Sequence, residues 1–262
     1  MTLNDVSDIL TDFTNESLLN RAPKLGNMRI YDPPILRAAS ADDPLFALLK
    51  LPEAIGPRHM SPHEWLPGGK VAISYFLPFT STVRVANREP GLPAIEWVHA
   101  RVEGEVFNNA VRQRLVDLFA DAGRDALAPI LDPRFSVVDM RSNWSERHVA
   151  FIAGLGTFSI NHSLITPAGS AGRLGSAIVD CDIPPTRRPY SERDEYCTHC
   201  GACIRRCPPS AVTMRGKDHV VCSAYVTEIS ARFAPRFGCG KCQTAVPCEH
   251  EIPRGAGAKA SY

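Results

Sequence analysis

Cys197-Thr-His-Cys200-Gly-Ala-Cys203-Ile-Arg-Arg-Cys207-Pro208 decides how this chain is read. Its cysteines follow C-x2-C-x2-C-x3-C-P, the spacing of a cubane iron–sulfur ligand run. Three thiolates in one tight loop reach three corners of a single cluster, and the fourth points toward a second. The first cluster then lacks one ligand and the second lacks three. Cys222, Cys239, Cys242 and Cys248 follow downstream, giving eight thiols for two 4Fe–4S clusters. We assign Cys197, Cys200, Cys203 and Cys248 to one cluster, and Cys207, Cys222, Cys239 and Cys242 to the other. Cys181, the ninth cysteine, reads as a small buried residue.

Rival readings of the cysteines are weaker. Zinc takes C-x2-C pairs, but usually two pairs parted by a longer spacer. Disulfides would need an exported chain. The N-terminal MTLNDVSDILTDF is polar and acidic, with neither a secretory apolar stretch nor a twin-arginine signal. Thiolate clusters on such a chain point to the cytoplasm. Its 262 residues allow one large domain or two smaller ones, and 44% hydrophobic residues supply a core. A net charge of +1 carries no basic excess, so nucleic acid is not an expected partner. No run of about 18 apolar residues suggests a membrane span.

Outward from the cysteines, periodicity places the remaining elements. Leu3, Val6, Leu10 and Phe13 predict an amphipathic helix that runs on to Pro23. A short helix starts at Asp43-Pro44. KVAISYFLPF reads as a buried central strand, and TSTVRVANREPGLP as a polar loop. Phe107, Val111, Leu115, Leu118, Phe119 and Ala122 form one face of the longest helix, with Gly123 as its stop. FSVVD (135–139) reads as a second strand. A helix capped by Ser142 and Asn143-x-x-Glu146 follows, broken at Gly154-Leu-Gly156. SLIT (163–166) and SAIVD (176–180) read as strands. Pro184, Pro185 and Pro189 mark a linker, CSAYVTEISARF supplies a helix, and the tail RGAGAKASY reads as loose.

Two stretches carry a family resemblance. VDMRSNWSERHVAFIAGLGTFSINHSLITPAGSAGRLGSAIVD, begun at Val138, resembles a segment of the epoxyqueuosine reductases and, more distantly, of the reductive dehalogenases. The matching features are Ala153-Gly-Leu-Gly156, Asn161, Leu164-Ile-Thr166, the glycine-rich turn and Val179-Asp180. Leu66-Pro-Gly-Gly-Lys-Val-Ala-Ile-Ser resembles their first core strand. The likeness covers residues 60–80 and 135–252. It implies an α+β fold with a nitroreductase-like cofactor-binding domain over 1–186. A bacterial two-cluster ferredoxin-like module over 187–262 would pass electrons to a cobalamin held with its lower ligand detached. It also implies that Asp139 is the proton donor. Departures are visible. Asp139-Met-Arg-Ser stands where the family has Asp-Thr-Gly-Pro. Ser159-Ile160 replaces a Gly-Lys or Gly-Arg, so a cation is missing. The spacing Cys239-x2-Cys242-x5-Cys248 is looser than the family's, and a C-terminal helical-repeat domain is absent. These departures suggest a substrate other than tRNA.

The candidate site residues follow. Asp139 is either a general acid in an apolar pocket or a neighbour of a helix cap. His162, in the glycine-broken loop, is the second candidate proton donor. Gly154, Gly156, Asn161 and Arg173 are candidate cofactor contacts, because glycine loops let backbone amides approach a ligand. His148 reads as a core or cap histidine, and His199 and His250 as neighbours of the clusters. The expected activity is an iron–sulfur oxidoreductase performing a reductive removal. Its electrons would come from an external donor of flavodoxin or ferredoxin type, and its substrate would be a small molecule or a modified nucleoside. The rival readings are a non-catalytic two-cluster electron carrier, which needs no closed pocket, and a tRNA-modifying enzyme, which needs a basic face.

Overall fold

The computed structural model describes residues 1–257. Helix α1 (Leu3–Glu16) opens with a capping box. The Thr2 hydroxyl accepts from the Asp5 amide, and the Asp5 carboxylate accepts from the Thr2 amide. Val6 and Leu10 are its buried stripe. The helix ends at Ser17, well short of Pro23, because the Ser17 hydroxyl starts a new turn by accepting from Leu19.

Four strands form the central sheet: β1 (Ile35–Ser40), β2 (Val71–Pro78), β3 (Ala126–Leu127) and β4 (Gly172–Val179). Their spatial order is β1-β2-β4-β3, and every pair is antiparallel. Strand β2 is the central apolar strand that its sequence predicts. Its side chains alternate between two cores. Val71, Ile73, Tyr75 and Leu77 join Val6, Leu10, Phe107, Val111 and Leu115 on one side. Ala72 joins Phe46, Trp65, Trp144, Val149 and Ile152 on the other. The sheet is thus sandwiched between α1 with α3 (Ile95–Asp121) and α4 (Glu146–Ala153). Between β2 and α3, the stretch expected as a polar loop holds α2 (Ser81–Ala86), anchored by fully buried Val83.

The strand expected over 135–139 is absent from this sheet. Val137–Val138 pairs with Arg141–Ser142 in a two-residue hairpin, and both valines are exposed. Asp139 and Met140 form its turn, at φ +52° and +59°. The helix that follows is capped differently from its sequence signature. The Asn143 side chain bonds Arg134 and Ser136, and Glu146 turns toward the sheet to meet Ser176.

The cysteine-rich part carries α5 (His219–Ser230). It does not stand apart from the sheet. Ser170 and Ala171 donate to the carbonyls of Cys248 and Glu249, and the Asn87 amide donates to the Cys239 carbonyl. Glu249 accepts from Arg84 and Arg88. The end of the expected loose tail lies outside the described residues. Among the described residues, no helix is long and apolar enough to cross a membrane.

Candidate redox centres and the cleft beside them

The eight cysteines gather into two groups of four. Cys197, Cys200, Cys203 and Cys248 border one void, with Ile160, Ile165 and Val246 around them. Cys207, Cys222, Cys239 and Cys242 border a second, about 240 Å³ in volume. The ionisations are linked in the same two groups: Cys203 feels Cys248, Cys197 and Cys200, and Cys242 feels Cys239, Cys207 and Cys222. Burial pushes the thiols of Cys203 and Cys242 up to about 12. As free thiols they would stay protonated, whereas a bound metal deprotonates a coordinating thiol outright. All eight are free of disulfides. Among the described residues, no three metal-binding side chains close round a point as for a single ion. Eight thiols in two groups of four are the donor set that two polynuclear clusters would use.

The second void opens onto a cleft of about 410 Å³. Gly172, Arg173, Lys217, Cys242 and Gln243 belong to both walls. The cleft lies against β4, α3 and the start of α4, and charged side chains line it. Arg112, 3% exposed, donates to Glu105 Oε1 at 2.8 Å and to the Leu174 carbonyl at 3.1 Å. Its Nε faces Glu146 Oε1 at 3.4 Å without a hydrogen bond. Arg173 Nε faces Glu105 at 3.8 Å, also without a hydrogen bond. The cleft wall thus carries two loose ion pairs, Arg112–Glu146 and Arg173–Glu105, rather than tight ones. The two carboxyls are pushed apart. Burial raises Glu146, and the Arg112 charge only partly opposes it. Burial raises Glu105 too, but Arg112 and Arg173 outweigh it and hold the carboxyl low. Sequence signals did not reveal Glu105, Arg112 or Glu146 as site residues, because nothing in their spacing shows that a sheet and two helices bring them together.

The expected site residues fall as follows. Arg173 and Asn161 line the cleft. Asn161 holds the cysteine loop: its amide donates to the Cys242 carbonyl, and its oxygen accepts from Ser159 and Ser163. His162, at φ +62°, also lines it, yet both its ring nitrogens are engaged. Nδ1 meets His219 Nε2 at 3.0 Å and Nε2 faces the Lys217 amide at 3.5 Å. Burial, then the His219 charge, lowers His162 to about 4. His148 bonds Ser145 and packs on Phe158, away from the cleft.

Gly154 and Gly156 pack against the protein's own chain. Gly154 ends α4 in the left-handed region, against the backbone of Arg187 and Arg188. A Cβ on Gly156 would lie 2.0 Å from the Ile165 carbonyl oxygen, and its amide donates to the Tyr190 hydroxyl. The close approach that glycine permits is made by the protein's own chain. Asp139 lies outside the cleft. It borders a separate cavity of about 360 Å³ with Arg58, His59 and Arg141. Its side chain is 88% exposed and 3.8 Å from Arg58, so the apolar pocket expected round its carboxyl is not there.

No protein-family model and no curated protein sequence matches this chain. Solved structures do. A selenomethionine-labelled epoxyqueuosine reductase superposes with a TM-score of 0.57 at 20% identity, covering 94% of this chain and 66% of that one. The epoxyqueuosine reductase from Streptococcus thermophilus gives 0.56 at 16%, covering 94% and 65%. A catabolic reductive dehalogenase gives 0.55 at 16%, covering 87% and 31%. The fold is that of these reductases. At such identities the likeness extends to the fold alone, and the chain spans just under two thirds of the epoxyqueuosine reductases' length.

Proposed function

We propose that this protein is an iron–sulfur reductase in which two 4Fe–4S clusters carry electrons to a polar ligand bound in the cleft beside Cys242. The observation that carries the reading is the shared wall. A cysteine of the second group borders a cleft that also holds the charged side chains of Arg112, Arg173, Glu105 and Glu146. A non-catalytic electron carrier has no use for such a cleft. One reductase of this fold has been captured with an epoxyqueuosine-modified tRNA stem loop. That complex supports a modified nucleoside as one substrate class, alongside small molecules.

The cleft is lined by polar Asn161, Ser163, Ser170 and Gln243 and by apolar Phe76, Leu164 and Leu174. This arrangement suits the amide edges and flat face of a corrinoid, as the family resemblance implies. When bound, cobalamin would supply a reducible metal centre for the removal step. The chain's own share is binding, orientation and protons. Arg112 and Arg173 give the cleft its cationic wall and orient the ligand by charge. Glu146, whose pKa burial raises at the head of α4, is the proton source, and Glu105, whose pKa is lowered by Arg112 and Arg173, fixes Arg112. The His162–His219 pair joins the loop before β4 to the cysteine module and shapes the cleft mouth.

The test is anaerobic reconstitution with iron and sulfide, then addition of cob(II)alamin. We expect about eight irons per chain. We also expect an electron paramagnetic resonance spectrum of cobalt with its dimethylbenzimidazole ligand detached. A spectrum identical to free cob(II)alamin would remove the corrinoid from the reading. Uptake of iron for one cluster would remove the two-cluster wire.

A further inference from the structure

The two cysteine groups sit in opposite electrostatic surroundings, and this inference rests on their both holding clusters. The walls of the Cys197 group are apolar: Ile160, Ile165, Ala202, Val246, Pro247 and Pro253 contribute no charge. Cys200 itself is exposed. The nearest cation there, Arg205, bonds the Cys200 carbonyl from the water side, where solvent and salt screen it.

The Cys207 group is different. Arg101, Arg173 and Lys217 stand in the wall of its void. Lys241, 1% exposed, lies between Cys239 and Cys242, with its ammonium held by the carbonyls of Asn87 and Glu89 at 3.2 and 2.6 Å. The Arg101 stem packs on Gly238, next to ligand Cys239, where an added Cβ would come within 3.2 Å of it. Its guanidinium covers the Phe237 ring at 4.9 Å. The carboxylates closest in sequence are committed elsewhere: Glu103 pairs with Arg236, and Glu105 with Arg112 and Arg173. Among the described residues, Arg101 has no ion-pair partner. Its desolvated positive charge faces the void instead.

A cubane gains one negative charge on reduction, so a fixed cation in a low-dielectric wall favours the reduced form. We propose that Arg101, Arg173 and Lys217 hold the cluster of Cys207, Cys222, Cys239 and Cys242 at a higher reduction potential than its neighbour, which makes it the terminal electron store beside the cleft. A one-electron donor protein reduces the outer cluster at the Cys200 face. That cluster is then reoxidised by one electron as the inner cluster is reduced by one. No bond or proton moves in this step.

The test is a redox titration of the reconstituted protein, followed by electron paramagnetic resonance. Wild type should show two separate one-electron waves. Arg101→Gln should lower the upper wave by about a tenfold change in its reduction equilibrium, about 59 mV for one electron. The lower wave should stay in place. Arg101→Lys keeps the charge and should restore the upper wave, and Arg205→Gln should leave it unmoved. The proposal is overturned if Arg101→Gln moves the lower wave or neither. It is also overturned if Arg101→Lys behaves like Arg101→Gln, since packing rather than charge would then be the cause. Failure of the underlying two-cluster reading is seen separately, in the iron count before any titration.

Discussion

His59 sets a local stability cost that the sequence does not reveal. It is 1% exposed, stacks on Trp144 at 5.9 Å, and leaves both ring nitrogens without a partner. Burial, helped by the Lys50 charge, pushes it down to about 4. The sign is clear. The folded protein holds this imidazole neutral, while the unfolded chain binds a proton below its ordinary value near 6.5. Stability from this group is therefore full above pH 6.5 and is lost as pH falls toward 4. That loss amounts to roughly 3 kcal/mol across the window. His59→Phe keeps a stacking ring and removes the titration. Between pH 7 and pH 5 the variant should lose about 2 kcal/mol less unfolding free energy than wild type in denaturant titrations. Equal losses in both proteins would show that His59 is solvated in the native state.

At the scale of elements, the hairpin over 137–142 and the start of α4 exchange roles. The sequence places a carboxyl at the end of a strand, as the family resemblance implies. The structure puts Asp139 at an exposed turn in the left-handed region, which Asn tolerates as well as Asp. A carboxyl that does border the cleft is Glu146, seven residues on. Asp139→Asn should leave substrate reduction within about twofold of wild type, since the turn is preserved and the group is remote. Glu146→Gln keeps the bonding shape but removes the acid, and should slow turnover by about a hundredfold or more. Single-turnover rates measured with prereduced protein decide between them; a reversed pattern would return the proton to the hairpin. The reason the sequence misled here is physical. FSVVD has strand propensity, but a strand needs a partner, and the β3 edge of the sheet is taken by Ala126–Leu127. Conversely, ILRAAS (35–40) carries a weak pattern of its own and becomes a strand because β2 offers it six paired positions. What was legible was local: β2 as an unbroken apolar run, the face of α3, and a cysteine spacing that brings eight thiols into two groups of four. The Arg112–Glu105–Glu146 set was not, because its members lie on two helices packed over opposite faces of one sheet.

For the whole molecule, the question is how far the two halves depend on each other. The sheet half has a large double core of its own. Among the described residues, the buried apolar cluster of the cysteine half is small, Ile160, Cys203, Val212 and Val246, and Ile160 comes from the other half. So small a core does not offset chain entropy unaided. If the proposed clusters are bound, metal–thiolate bonds supply the difference, since their free energy is folding free energy where no site preforms. The seam adds further support. Asn87 donates to Cys239, Lys241 and Arg206 donate back to Asn87, and Gln243 reaches the Ser170 carbonyl. These bonds hold the module to the sheet only while the cysteine loops keep their shape. Removing iron with a chelator under oxidising conditions should therefore unfold residues 197–250 and leave the sheet folded. Hydrogen exchange should show protection lost throughout the cysteine module and at the Ser170 and Ala171 amides, which donate to Cys248 and Glu249. The β2–β4 pairing should keep its protection. If the module's amides stay protected without iron, its fold is set by the seam and not by the clusters. If the sheet melts with it, the two halves form one cooperative unit, and the cleft exists only when both clusters are in place.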